Sequence, residues 1–258
     1  MKAERQNELI VEQFSAQAEP FAKFKAHSQE DAMRLVREAV GLGPDDEALD
    51  VACGPGLVAC DFAEHAARVT GIDLTPGMIE QARKLQADKG LANLDWRIGD
   101  VSNLPFDDST FSVVSTRYSF HHLLDPARAL AEMTRVCRPG GRVAVVDVYS
   151  RDPEQGAAYD HVEKLRDPSH VRALGLDELA ELFNRAGLEK VTTNFYGLDV
   201  KLDELLAASS PDEGADDEVR RIFREDVGVD RLGVTARLVD GAIHFTFPIA
   251  VLVGRRPG

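Results

Sequence analysis

The spacing of apolar positions changes character along the chain. Up to residue 40 it is helical. Residues 7–24 and 29–40 are predicted as two helices, the second from Met33, Val36 and Val40 on one face. From Ala48 onward, short apolar runs alternate with amphipathic stretches. ALDVA, RVTGIDL and LDWRIGD read as strands. A helix to about residue 67 follows the first, and a helix over 76–89 follows the second. FSVVSTRYS is the expected fourth strand and a helix over about 126–137 comes next. RVAVVDVY is the fifth strand, after the turn Arg138-Pro139-Gly140-Gly141. Strand then helix, repeated, predicts parallel βαβ units.

Beyond Ser150 the pattern weakens. Helices are expected over 153–165 and 176–186 and a strand over 190–196. The Ser, Pro, Gly and acid-rich stretch at 209–217 reads as a mobile connection. Asp240-Gly241 and the run AIHFTFPIAVLVG predict a tight turn and a final strand, antiparallel at the sheet edge where Pro248 is tolerable.

A chain of 258 residues with 44% hydrophobic content suits one α/β domain with an added lid. Acids outnumber Lys and Arg by 44 to 30, a net charge of −14 that repels phosphate backbones and anionic membranes. No run of basic residues interleaved with aromatics offsets this, so a nucleic-acid partner is not expected. Cys53, Cys60 and Cys137 form no CxxC pair and have no His cluster at ligand spacing. A metal site is therefore not expected, and a reducing cytoplasm fits. The opening MKAERQNELIVEQF is charged and amphipathic, and no run of 18 apolar residues follows, so neither export nor membrane insertion is expected. No heptad pattern speaks to oligomeric state, and a homodimer stays open.

Chemistry concentrates after the first strand. Asp50-Val51-Ala52-Cys53-Gly54-Pro55-Gly56 joins that strand to a helix, and its glycines let backbone approach a ligand. Gly54-x-Gly56-x-x-Ala59 also satisfies the dinucleotide fingerprint, with Asp73 near the distance for ribose hydroxyls, so NAD is compatible with the glycines. Asp50 favours another ligand. An acid there would face the pyrophosphate of NAD, but it could neutralise the ammonium and sulfonium of S-adenosylmethionine.

DVACGPG, GIDLTPGMIEQAR, GDVSNLPFDDSTFSVV and RVCRPGGRVAVVDV, in this order and spacing, resemble the class I methyltransferases, nearest to the ubiquinone- and menaquinone-biosynthesis type. The resemblance is dense over about 36–149 and weaker outside. It implies a Rossmann-like doubly wound seven-stranded sheet, mostly parallel with an antiparallel last strand, under an N-terminal helical lid. The chain then divides into a lid (1–44), a cofactor-binding core (45–150), and substrate-side helices with closing strands (151–258). The resemblance further implies that Cys53, Gly54 and Gly56 lie against the methionine and ribose of S-adenosylmethionine, and that Asp73 accepts the ribose hydroxyls. Leu74 and Met78 would pack on adenine, Asp100 accept its amine, and the Val101 backbone donate to the ring. Thr116 and Arg117 would line the methionine moiety. Two departures stand out: Ala52 replaces a common glycine, and Ser112 a common acid.

Methyl transfer from a sulfonium needs an aligned nucleophile and excluded water. A base matters only for a hydroxyl or carbon acid. His121 and His122, after the fourth strand, are the candidate catalytic residues, with support or packing as the competing role. Tyr118 could position an acceptor. His27, Tyr159, His161, His170, Tyr196 and His244 could reach the pocket from the lid or the C-terminal region, with ordinary surface or core as the competing role. Phe14, Phe21, Phe24, Phe195, Phe245 and Phe247 could line an apolar pocket, although such aromatics commonly serve cores. The leading expectation is methyl transfer to carbon or oxygen of a small apolar or aromatic metabolite, releasing S-adenosylhomocysteine. Its rivals are an NAD-dependent oxidoreductase, which lacks a Tyr-x-x-x-Lys or comparable constellation, and a non-catalytic S-adenosylmethionine-binding module.

Overall fold

The computed structural model describes residues 2–22 and 29–258. Phe24, His27 and the side chain of Phe21 lie outside the described residues. The first five strands are β1 (Glu47–Val51), β2 (Arg68–Asp73), β3 (Leu94–Ile98), β4 (Phe111–Arg117) and β5 (Cys137–Ser150). They pair in parallel, as the alternating pattern predicts. The helices between them are α3 (Leu57–Ala63), α4 (Pro76–Lys89) and α5 (Pro126–Val136), preceded by α1 (Lys2–Ala22) and α2 (Glu30–Val40). Helix α3 stops short of the expected residue 67, where Asn93 Nδ2 donates to the carbonyls of Ala63 and Ala66 at 2.9 and 3.0 Å. The expected turn at Arg138-Pro139-Gly140-Gly141 lies inside β5, and a register shift between Phe111 and Val113 absorbs its extra residues.

The second half holds α6 (Pro153–Arg166), β6 (Leu174–Gly175), α7 (Leu176–Arg185), β7 (Glu189–Lys201), α8 (Leu202–Ala207), α9 (Ala215–Asp226), β8 (Arg237–Val239) and β9 (Ala242–Arg255). Seven strands form a continuous path in the order β3-β2-β1-β4-β5-β9-β7, with β6 on β5 and β8 on β9. Asp240 and Gly241, at φ 50° and 81°, make the tight turn that joins β8 to β9.

Two expectations are corrected. The last strand is not the edge. β9 runs antiparallel between β5 and β7, and β7 closes the sheet. Pro248 is tolerated for a different reason. Its pairing with β5 has already ended at Ile249, and the nearby Thr246 N–H points to the same side, toward the Val234 carbonyl at 2.7 Å. The stretch 209–217 is not one connection, because α9 begins inside it. Asp216, Asp217 and Glu218 fill the first turn of that helix, where acids oppose the helix dipole.

One core layer contains Phe62, Trp96, Phe223 and Phe245. The other contains Leu49, Ile72, Leu130, Met133 and Phe183. Burial on both faces explains why β1, β4 and β5 read as continuous apolar runs. Strand order reverses between β1 and β4, and the register sets Asp50 opposite both Gly71 and Ser115. The C-terminal ends of these strands are therefore level, and the loops that follow open into one crevice.

Candidate active site

A cavity of about 390 Å3 occupies that crevice, a volume suited to one nucleoside-sized ligand. Its floor is the end of β1 and the loop that follows, where Asp50, Ala52, Cys53 and Gly54 all border it. Ala52 has φ 53° and Gly54 φ 52°, so two backbone positions turn left-handed to fold the loop under the cavity. A Cβ on Gly54 would meet nothing within 4 Å, which leaves open space above that residue. The Cys53 N–H is tied to the Ile72 carbonyl at 3.0 Å. The Cys53 thiol is buried, and burial raises its pKa well above the ordinary value, so it stays protonated.

Asp50 is only 1% exposed. Among the described residues, no donor reaches its Oδ2. Burial pushes its pKa up to about 7, against the pull of the Arg117 charge and the Ala59 backbone. Asp73, at the end of β2, is also buried, and burial raises its pKa too. Its Oδ2 accepts from Gly54 N and its Oδ1 from Thr75 N, both at 2.8 Å. The acid thus ties the glycine loop to the start of α4. Asp100, after β3, accepts at Oδ1 from Ser102 N and Oγ, at 2.8 and 2.7 Å. Burial pulls its pKa upward, but the Ser102 and Asn7 hydrogen bonds outweigh that and keep it ionised. Leu74, Met78 and Val101 also border the cavity, as does Arg117, whose guanidinium lies 4.7 Å from the centre of the Tyr118 ring.

Of the residues singled out from sequence, Gly56, Thr116 and His121 are absent from the cavity lining. Gly56 is a packing position: its φ is 83°, and a Cβ would sit 2.7 Å from the Trp96 ring. Thr116 is buried and spends its hydroxyl on the Val51 carbonyl at 2.7 Å, joining β4 to β1 behind the floor. His121 turns away, with Nδ1 2.6 Å from Asp147 Oδ1. Asp147 also accepts from Phe120 N and Val148 N. Burial alone would lower the His121 pKa, yet Asp147 raises it on balance, and the same contacts keep Asp147 ionised. His122 does border the cavity.

The remaining candidates divide. Tyr118 borders the cavity, with its hydroxyl 2.6 Å from that of Tyr196. Tyr159, Phe245 and Phe247 are core, and Phe195 and His161 are exposed. His170 is buried against Asp160 at 2.8 Å. Phe14 reaches the cavity from α1 and meets the His122 ring edge-on at 5.1 Å.

The sequence reading missed how α1 is fastened. Asn7 Nδ2 donates to Asp100 Oδ2 at 2.8 Å. Gln6 Nε2 donates to the carbonyls of His122 and Ser169 at 3.0 and 2.7 Å. Ala3, Gln6, Asn7, Ile10 and Phe14 all border the cavity. Their spacing is that of a single helix face, a signal present in the sequence. Asp147 had a signal as well: a lone acid inside the apolar run of β5 needs a buried partner.

A family model described as a methyltransferase domain matches residues 49–145. The chain is 30% identical over 191 residues to the uncharacterized methyltransferase YcgJ of Bacillus subtilis, a match covering 74% of this chain and 76% of that one. The crystal structure of YcgJ superposes with a TM-score of 0.81 at 25% identity, over 89% of this chain and 100% of that chain. The ubiquinone/menaquinone biosynthesis C-methyltransferase UbiE of a Ruegeria species is 38% identical over 116 residues, 44% of this chain and 46% of that protein. A phosphoethanolamine N-methyltransferase of Haemonchus contortus, solved in complex with S-adenosyl-L-methionine, shares the fold. Its TM-score is 0.66 at 15% identity, over 94% of this chain and 57% of that one. The parallel core, the crevice at the strand-order reversal and these matches agree: this chain belongs to the class I S-adenosylmethionine-dependent methyltransferases.

Proposed function

We propose that this chain transfers a methyl group to carbon or oxygen of a small, apolar or aromatic metabolite. The observation that carries the reading is Asp50, a carboxylate sealed in the cavity floor whose Oδ2 meets no donor among the described residues. Such a group is costly unless a cation meets it, and the ammonium and sulfonium of the methyl donor are of the required sign. A pyrophosphate in the same place would be repelled, which sets the NAD reading aside. The cofactor supplies a methyl group on a positively charged sulfur.

The residues present fit it. Asp73 would accept the ribose hydroxyls and Asp100 the adenine amine, with Leu74 and Met78 against the ring and the Val101 backbone donating to it. Cys53 and Gly54 would offer backbone to the ribose and methionine parts, and Arg117 would line the methionine moiety. Gly56 and Thr116 hold the floor from behind. The acceptor side is apolar, with Ile10, Phe14, Leu123 and Leu124 on its walls. The similarity to UbiE, a C-methyltransferase of ubiquinone/menaquinone biosynthesis, supports the same reading.

Calorimetry with S-adenosylhomocysteine tests the donor half. Micromolar binding is expected. It should strengthen with pH up to about 7, because the bound ligand needs Asp50 ionised. Asp50→Asn should weaken binding at least about tenfold, the scale of a lost charged hydrogen bond. Its free form should melt at a higher temperature at pH 8, since a buried charge has gone. No heat from the wild-type chain would sink the reading. Mass spectrometry of methylated products from a panel of phenols, hydroquinones and amines tests the acceptor half: transfer to amines alone would overturn the carbon or oxygen assignment.

A further inference from the structure

His121 and His122 adjoin in sequence and their rings lie 4.2 Å apart, yet their hydrogen bonds give them opposite states. His121 donates from Nδ1 to the Asp147 carboxylate, which can only accept. His122 Nδ1 lies 3.1 Å from Ser169 Oγ. That hydroxyl has a single hydrogen, and Asp167 Oδ1 lies 2.6 Å away to take it. Burial pulls the Asp167 pKa upward, while the Arg166 charge and the hydrogen bonds from the Ser169 N–H and hydroxyl act against it, so Asp167 is the acceptor of this pair. Hydrogen counting then leaves one arrangement: Ser169 donates to Asp167, and His122 Nδ1–H donates to Ser169. The lone pair of a neutral His122 is therefore on Nε2, in a ring that borders the cavity.

The geometry points to His122 Nε2 as the proton acceptor in methyl transfer, with Ser169 and Asp167 as positioning residues that fix its tautomer. This rests on the methyltransferase reading and on an acceptor with an O–H or acidic C–H. The acceptor atom bonds to the methyl carbon. The bond from that carbon to sulfur breaks, its electron pair staying on sulfur, and the acceptor's proton passes to Nε2. One positive charge leaves sulfur and one appears on the imidazole, where Asp167 faces it through Ser169. The proton then leaves to water.

Beside the ring stand His121 on its own turn and Asp167, Ser169 and His170 on the loop after α6; the charges of Asp147 and Glu163 bear on His121, and that of Arg166 on Asp167. From α1, Phe14 meets the ring edge-on, and Gln6 Nε2 donates to the His122 backbone carbonyl. Burial, then the charge on His121, lowers the pKa of His122, so the resting ring is neutral and ready to accept.

Nitrogen-15 NMR of histidine-labelled full-length protein, loaded with S-adenosylhomocysteine, tests the arrangement without an acceptor. The His122 signals are assigned by their loss in His122→Asn. The expected pattern is protonated Nδ1 and bare Nε2 at pH 7.5, unchanged at pH 5.5. Ser169→Ala should mix or reverse the tautomers while S-adenosylhomocysteine affinity stays within about twofold. Asp167→Asn is the second variant. Its amide can donate to Ser169, which sends the hydroxyl hydrogen to Nδ1 and should give protonated Nε2. Wild-type protein with protonated Nε2, an imidazolium at pH 7.5, or a pattern indifferent to both substitutions overturns the proposal. Loss of ligand binding by the wild-type chain instead indicts the methyltransferase reading, so the two failures are distinguishable.

Discussion

Ala52 lies between Asp50 and Gly54 at φ 53°, a conformation glycine adopts freely and an L-residue does not. An alanine holds the left-handed turn that a glycine would adopt without strain. The loop is therefore strained at a position whose side chain is a single methyl. Ala52→Gly should relieve about 1 kcal/mol, raising the melting temperature by roughly 2 °C for a chain of this size. Differential scanning calorimetry measures this, and a fall of the same size would show that the strain is compensated elsewhere. The acids were legible at this scale, since Asp50, Asp73 and Asp100 stand at the ends of strands that sequence already places. The serine of the His122 network was not. Ser169 meets His122 across 47 residues of chain, and no local pattern marks that contact.

At the scale of elements, α1 is the part whose position matters most. Its amphipathic pattern foretells a helix and its aromatic positions suggest a cover. The fastening comes from Gln6 and Asn7, whose partners lie far away along the chain. Gln6 ties α1 to two separate segments through the carbonyls of His122 and Ser169. Gln6→Ala removes both hydrogen bonds, together worth about 1–2 kcal/mol. Amide exchange in α1 should then quicken by roughly tenfold, while exchange in β1, β4 and β5 is unchanged. Equal exchange in α1 would mean that apolar packing alone holds the helix. Asn7 donates to the same Asp100 oxygen pair that the adenine amine is proposed to use, so the cover and the ligand meet at one carboxylate. The acid-rich start of α9 illustrates the limit of composition at this scale: the same acids suit a solvated linker or the first turn of a helix, and only the packing of Val219 and Phe223 selects the helix.

For the molecule as a whole, the buried His121–Asp147 pair gives stability a pH dependence with a definite sign. Asp147 has its pKa lowered by folding, so its contribution is present above the ordinary carboxylate value and fades as pH falls through the folded one. The pKa of His121 is raised, so its contribution is full below the ordinary histidine value of about 6.5 and is lost as pH rises through the folded value. The chain without ligand should therefore lose stability from about pH 6.5 upward, and Asp50, whose folded pKa is about 7, adds to that loss from lower pH. Urea titrations at pH 6 and pH 8.5 check this: His121→Asn should flatten the difference, and an identical slope in the variant would refute the pairing. By itself the sequence determined the five parallel strands, their intervening helices and the loop from Asp50 to Gly56, because periodicity and turn chemistry act over neighbouring residues. The tertiary structure alone decided that β9 is interior and β7 the edge, that His121 is committed to Asp147, and that His122 borders the cavity with Ser169 behind it. Each of these is a pairing between segments far apart in the chain, chosen by burial and by the need to satisfy every buried polar group, neither of which has a local signature.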